Sequence, residues 1–418
     1  MTSINSQRSW ISQFSVIMTG QIFSLLGSGI VQFSIIWHLN RTSNSAVVLS
    51  IAMIMGILPV ILFSPFAGVV ADRYDRKKVM IIADALIAGM TLLFVFLLQI
   101  GPLPVEIFYV LLFCRAAGTA FHQPAFESAM PMITPKHHLT RVAAIIQMLR
   151  SGINLVAPLL AVLLIGLLKL QIILLIDIFT AAIAIFSLLI IELPKLSHKS
   201  AHPATLGGYM QDLKIGLRYV YHWKGLLALI LAFSFANFLL APALAMMPLV
   251  ITGYFKGGVA EYGFFEMSLA IGIILGSLTL SVWGCTKKKI VSVNIAQILC
   301  GVFITVIGFV SPDQFYLVLG AAVLIGISSA YINSPVIAII QGSVDKHALG
   351  RVMSIATTLT AVAMPLSLIF AGPLAERFSP MLLIWLPGLL SVLLGIICFL
   401  IPDLMKIEDE GHADYVTE

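Results

Sequence analysis

Apolar residues in this chain fall in unbroken runs of twenty or more, separated by short polar clusters, without sustained period-two alternation. An α-helix rises 1.5 Å per residue, so about 20 apolar residues are needed to cross ~30 Å of hydrocarbon. Twelve segments meet that length: 14–38, 46–70, 79–99, 105–130, 142–167, 170–191, 225–251, 263–283, 290–310, 315–340, 352–371 and 381–402. Runs of this kind exclude a membrane β-barrel, which needs alternation. In lipid every backbone N–H and C=O must find an internal partner, and helices remain. The expected fold is all-α and integral to the membrane.

The polar punctuation sorts into two sides. Stretches 40–45, 101–104, 311–314 and 372–380 read as short turns on one side. On the other lie 72–78, 135–141, 192–224, 285–289, 344–351 and the tail after Pro402. Every Lys and Arg falls on this second side except Arg41, Lys169, Lys256 and Arg377, and the intraspan Arg115 and Arg150. The positive-inside rule then predicts a multi-pass protein of the plasma membrane with both termini cytoplasmic. The stretch 192–224 is the one long loop. Within it Tyr209, Met210, Leu213, Leu217, Val220 and Tyr221 recur at helical spacing among Gln211, Asp212, Lys214 and Arg218. That pattern predicts an amphipathic helix lying on the inner membrane surface.

Composition supports this reading. Soluble chains carry roughly a quarter charged residues, whereas this one of 418 residues has 10% charged and 60% hydrophobic, too few polar side chains for a hydrated shell. The net charge of +5 lies in short loops between spans and points to topology, not nucleic acid. Cys114, Cys285, Cys300 and Cys398 have no metal-type spacing, so neither disulfide nor metal site is expected. The first apolar run is too long for a cleaved signal peptide and lacks a small-residue cleavage site. No Walker-type glycine loop, H-E-x-x-H or G-x-S-x-G occurs, so the chain reads as a non-enzyme.

Two loops are near copies. Lys136-His137-His138-Leu139-Thr140-Arg141-Val142 returns 210 residues later as Lys346-His347-Ala348-Leu349-Gly350-Arg351-Val352. Six spans separate the copies, which predicts two six-helix bundles in the same orientation, with a site near the midplane. The expected division is 1–191, a linker 192–224, a second bundle 225–402 and a tail 403–418.

The loop after the second span reads Gly68-Val-Val-Ala-Asp72-Arg73-Tyr74-Asp75-Arg76-Lys77-Lys78. It resembles the G-x-x-x-D-R-x-G-R-[KR] signature of the major facilitator superfamily, with Asp75 where the family carries Gly. Gly68 would allow close helix approach, and Asp72 could face the positive N-terminus of a neighbouring helix. The resemblance makes that neighbour the eleventh span, and gives Arg76 an acid at the inner end of the fourth, where Glu127 sits. Together they would form a cytoplasmic latch; the alternative is that the basic residues only anchor topology.

Charges within the spans are the remaining candidates. Arg115 lies ~15 Å down the fourth helix, where a charge needs a partner or a wet cavity. It resembles the Arg of the family's R-x-x-x-G motif, although Gly118 comes one residue early. Arg115 reads as a proton-transfer or substrate contact, or as a structural ion pair. Arg150, in the fifth span, reads as a cavity cation or as the partner of a carbonyl or acid. Asp177, ~10 Å into the sixth, is the best intramembrane carboxylate, either coupling protons or held in a buried hydrogen-bond network. Asp84 should pair with nearby loop cations. Gly152 and Ala157-Pro158-Leu-Leu-Ala161 resemble a degraded antiporter motif. Gly272 and Gly276 form a GxxxG pair suited to close packing, plausibly on the fifth span.

An apolar cavity with scattered amides, suited to amphiphilic compounds of varied shape, would be lined by Gln21, Gln32, Phe233, Asn237, Phe238, Met246, Tyr331 and Asn333. Segments 70–85, 113–141 and 349–352 are similar to the macrolide-efflux group of the superfamily. That resemblance implies efflux of a hydrophobic drug-like compound, driven by a proton gradient with no cofactor, by a monomer working through alternating access of 1–200 against 209–418. Rival readings are export of a lipid or siderophore, proton-coupled uptake, or a non-transporting scaffold.

Overall fold

The computed structural model describes residues 2–135, 138–191, 193 and 206–409, and it is helical throughout. Helices α1 (Thr2–Ser43), α2 (Ala46–Arg73), α3 (Arg76–Ile100), α4 (Val105–Ile133), α5 (Leu139–Leu167) and α6 (Leu170–Ile190) come first. After α7 (Leu206–His222) follow α8 (Lys224–Gly253), α9 (Val259–Trp283), α10 (Lys289–Ile307), α11 (Phe315–Ser343), α12 (Lys346–Arg377), α13 (Leu382–Leu400) and the short α14 (Pro402–Met405). Twelve of these, all but α7 and α14, are long and apolar enough to cross a membrane. Large apolar side chains such as Phe96, Phe179, Phe186 and Leu167 stay exposed on their surfaces, as expected where lipid is the solvent.

The described residues fall into two compact units, one within 1–42 and 54–205, the other within 43–53 and 206–418. In the first, Met80, Ala125, Phe126, Ala129 and Leu188 pack with Ile17 in one core cluster. In the second, small residues bring backbones together. A Cβ on Gly272 would lie 2.1 Å from the Val323 carbonyl oxygen, and one on Gly276 2.7 Å from that of Ile327. The GxxxG pair of the eighth span therefore seats α9 on α11, the tenth span. Gly326 meets Gly272 from the other side, Cβ to Cα 2.8 Å, so both helices contribute the missing side chains. Gly301 and Gly388 do the same for α10 and α13, where Gln297 also donates to the Ser391 hydroxyl at 2.6 Å.

Two expected turns take different forms. The stretch 372–380 is largely helical, because α12 continues to Arg377 with Pro373 inside it. Gly372 is a packing position instead: a Cβ there would sit 2.8 Å from the Val47 Cα. One turn on, the Glu376 carboxylate accepts from the Ser45 hydroxyl and from the Val47 N–H, capping the start of α2 and suiting the positive end of its dipole. The loop after α2 is shorter than predicted, since α3 begins at Arg76 with Asp75 as N-cap (φ −60°, ψ 111°), its carboxylate accepting from the Lys77 N–H at 3.0 Å. Asp stands where the family signature has Gly because this turn is extended and uses the carboxylate as a cap.

The amphipathic helix expected in the linker is α7, whose described face buries Val220 and leaves Ile215, Leu217 and Tyr221 exposed. Gly216 lets it lie on α12, against Ile355 and Arg351. Side chains 206–213, and all of 194–205, fall outside the described residues, and with them Tyr209, Met210, Gln211, Asp212 and Leu213.

Candidate functional site

The charged centre of the first unit is assembled by two helix faces in antiparallel register. Residues 84, 87 and 91 of α3 are spaced i, i+3, i+7 and share a face, as do 115, 118 and 122 of α4. Gly118 allows the approach: a Cβ there would come within 2.5 Å of the Ile87 side chain. With Gly118 opposite Ile87, Arg115 falls opposite Thr91, and His122 opposite Asp84. The glycine that breaks the family's R-x-x-x-G spacing thus serves as the packing point between two polar pairs.

Arg115 is 6% exposed and Asp177 2%. The guanidinium grips the carboxylate with both nitrogens, Nη1 on Oδ2 and Nη2 on Oδ1 at 3.4 Å. Nη1 also donates to the Thr91 hydroxyl at 2.9 Å, and the Ser28 hydroxyl donates to Asp177 Oδ1 at 3.2 Å. The Thr91 hydroxyl has one proton to give; the Ile87 carbonyl at 2.9 Å outcompetes Asp177 Oδ2 at 3.4 Å. Ser28 reaches Asp177 because Gly27 lets α1 lie on α6, with a Cβ there 2.1 Å from the Thr180 hydroxyl. Both charges are buried, paired and hydrogen-bonded, the condition under which ionised groups persist away from water. Arg115 is thus ion-paired with Asp177.

Asp84 is also deeply buried, at 4% exposure, and it meets no loop cation among the described residues. Its Oδ2 lies 3.6 Å from His122 Nε2 and has no hydrogen-bond partner among the described residues. Gln21 Nε2 stands 3.4 Å from the same imidazole nitrogen. The register of α3 on α4 brings Asp84 to His122, whereas Lys77 lies two turns earlier, about 10 Å along the axis. Lys77 instead donates to the Leu189 and Ile191 carbonyls at 3.1 and 2.6 Å, capping the end of α6.

Gln21, Ser28, Asp84, Arg115, His122 and Asp177 line one cavity of about 310 Å³, together with Ser24, Gln32 and Thr119. Gln21 and Gln32, two of the four amides expected in a substrate cavity, are thus placed beside the charged cluster. The other expected lining residues lie in the second unit. Met246 is buried in the core of α8 at 0% exposure, where neighbouring side chains fill its surroundings. Asn237 and Asn333 donate to carbonyls one turn back, those of Phe233 and Ser329, at 2.9 and 2.8 Å. Phe238 stacks on Phe235, Phe233 faces a narrow crevice beside Asn294 and Gln297, and Tyr331 is half-buried.

The latch residues also separate. Glu127 is paired with Arg150 at 3.4 Å and takes a hydrogen bond from Gln123 at 3.0 Å. Arg76 does not reach it; its Nε donates to the Ala71 carbonyl at 3.3 Å and its Nη1 rests on the Met132 sulfur. Arg150 also lies over the Phe126 ring at 6.0 Å, so it is the partner of an acid and not a free cavity cation. Glu127 is more than half exposed, and such pairs contribute little. Glu127→Gln should therefore shift stability by less than about 1 kcal/mol, read from thermal unfolding in detergent. A Cβ at Gly68 would meet nothing within 4 Å among the described residues, so that glycine makes no close helix contact here. Arg73 is exposed at the end of α2; the side chain of Asp72 lies outside the described residues.

Sequence reasoning missed His122 and Thr91 as members of the cluster, and Glu266, which takes a hydrogen bond from the Tyr262 hydroxyl one turn earlier in α9. The signal for the first two was the matched i, i+3, i+7 spacing on α3 and α4; for Glu266 it was a carboxylate inside an apolar run.

The comparisons with known proteins agree with this architecture. The profile of the family described as transmembrane secretion effector, of the major facilitator type, matches residues 9–415. The chain belongs to that family. It is 32% identical over 401 residues to macrolide efflux protein A of Streptococcus pyogenes, covering 96% of this chain and 98% of that one. It is 28% identical over 406 residues to the multidrug efflux pump Tap of Mycolicibacterium fortuitum, covering 91% and 94%. Among solved structures, a bacterial homologue of the human lysosomal transporter Spinster shares the fold, with TM-score 0.71 at 12% identity, covering 96% and 97%. This family member is accordingly a multi-pass transporter of the major facilitator type, not an enzyme.

Proposed function

We propose that the protein is a proton-driven exporter of hydrophobic, macrolide-like compounds, working by alternating access as a monomer with both termini in the cytoplasm. The observation that carries this reading is the 32% identity to macrolide efflux protein A along nearly the whole of both chains. The asymmetric placing of Lys and Arg supports the orientation. The buried Arg115–Asp177 pair and the polar cavity beside it supply the intramembrane charge that ion-coupled transport requires. Proton entry needs no bound cofactor.

A susceptibility panel tests it. Cells carrying the gene should tolerate more macrolide than cells without it, and an uncoupler that collapses the proton gradient should remove the difference. Protection that survives the uncoupler would overturn proton drive, and protection against no compound would overturn efflux. Within this reading Asp72 acts as a latch through a helix N-terminus. Asp72→Asn should then lower efflux by about tenfold, the worth of ~1.4 kcal/mol in the transport barrier, with membrane insertion intact on a blot. Wild-type efflux in that variant would remove the latch.

A further inference from the structure

We propose that Asp84 and His122 together form the site that takes up and releases the transported proton, with the Arg115–Asp177 pair as its fixed electrostatic neighbour. The inference deepens the proton-coupled reading above and rests on it for the transport step alone.

A coupling proton needs a group that can exist with and without it, is shielded from bulk water, and touches a wet path. Asp177 is poorly suited, because Arg115 and Ser28 occupy its oxygens, and a proton on it would leave a buried guanidinium unpaired. Asp84 has the opposite environment. It is 4% exposed, one oxygen has no hydrogen bond among the described residues, and that oxygen is aimed at an imidazole 3.6 Å away across the cavity. A bare carboxylate so placed is costly, and a proton shared with His122 removes the cost.

The cavity provides the rest. Its 310 Å³ is room for several waters, and the lining hydroxyls and amides of Ser24, Ser28, Gln32 and Thr119 can hydrogen-bond them. From α1 the pair is faced by Gln21, from α3 by Asp84's own helix, from α4 by Arg115, and from α6 by Asp177. α2 contributes Gly56 and Val60, which carry no charge. Apart from the pair itself, the charged groups lining the cavity are Arg115 and Asp177, bound to each other.

The chemistry is one proton gained and lost. In the loaded state the imidazolium directs its Nε2–H to Asp84 Oδ2, and the Gln21 amide turns its oxygen towards the ring. In the unloaded state the proton has left to water, Nε2 is a lone-pair acceptor, and Gln21 donates to it through Nε2–H. No other bond forms or breaks. The 3.4 Å Gln21–His122 contact serves both states because an amide presents either a donor or an acceptor by rotating. Gln21 is then a positioning residue.

The test uses the purified full chain in liposomes. Infrared difference spectra between acid and alkaline buffer need no drug and report the ring stretch of an imidazolium. The His122 contribution to that band should vanish in His122→Gln and shift in Asp84→Asn. With a pH dye in the lumen and erythromycin as probe, erythromycin-triggered proton movement should fall by about tenfold in both variants, as expected when an intramembrane ionisable carrier is lost. Erythromycin counterflow without a pH gradient should persist in at least one of them, separating uncoupling from misfolding. An imidazolium band unchanged in both variants would overturn the assignment. If the wild-type protein moves no protons with erythromycin, the macrolide reading fails instead, and the infrared band alone decides the proton site.

Discussion

Asp177→Leu should destabilise the protein by about 3–5 kcal/mol, because it strands the Arg115 guanidinium in a site with 6% exposure. Arg115 would keep the Thr91 hydroxyl at 2.9 Å as a partner, but a neutral hydroxyl does not compensate a buried cation. The informative comparison is the double variant Arg115→Met/Asp177→Leu. Replacing a whole buried pair with apolar residues of similar volume is often neutral or stabilising, so the double variant should regain most of the loss. Thermal unfolding of the four proteins in one detergent measures it as a double-mutant cycle. Additive losses would show that the pair is not the energetic unit that its geometry describes. Efflux distinguishes stability from function: the double variant should be stable, and its transport reports what the field of the pair contributes beyond folding.

How much of this was legible beforehand depended on whether a residue's role is local. The twelve spans follow from lengths of apolar sequence, and α7 from its helical period, so both could be read from the chain. The Asp72–Lys78 loop was recognisable by motif, yet the cap made by Asp75 shortened it to a two-residue turn, which a signature written with Gly does not express. Roles that depend on which helices become neighbours were not legible. Glu127 was expected to meet Arg76, and only the phases of α4 and α5 bring it to Arg150. Asp84 lies eight residues beyond Arg76 in a span with lysines at its start, and only the register of α3 on α4 directs it to His122. Gly372 looked like the start of a turn, because Gly followed by Pro usually is one; its contact with Val47 makes it a packing position inside α12.

The same dependence on neighbours gives the second large effect. Gly272→Val should break the α9–α11 seam, although by helix propensity the substitution is mildly favourable. The Cβ alone would stand 2.1 Å from the Val323 carbonyl oxygen and 2.9 Å from the Gly326 Cα. These are backbone atoms, so no side-chain rotation relieves the clash and the helices must separate. Separation also loosens Gly276 against Ile327 and Ala330, one turn along the same face. In lipid there is no hydrophobic gain to hold two helices together; close packing is the main attraction, and it is lost over the whole seam. Overpacking typically costs about 1–3 kcal/mol, and a backbone-on-backbone clash lies at the top of that range. The expected result is a lowered thermal midpoint in detergent and reduced yield from the membrane. Gly68→Val is the control, since a Cβ there meets nothing within 4 Å among the described residues. Equal losses in both variants would mean that the loss does not come from the α9–α11 contact.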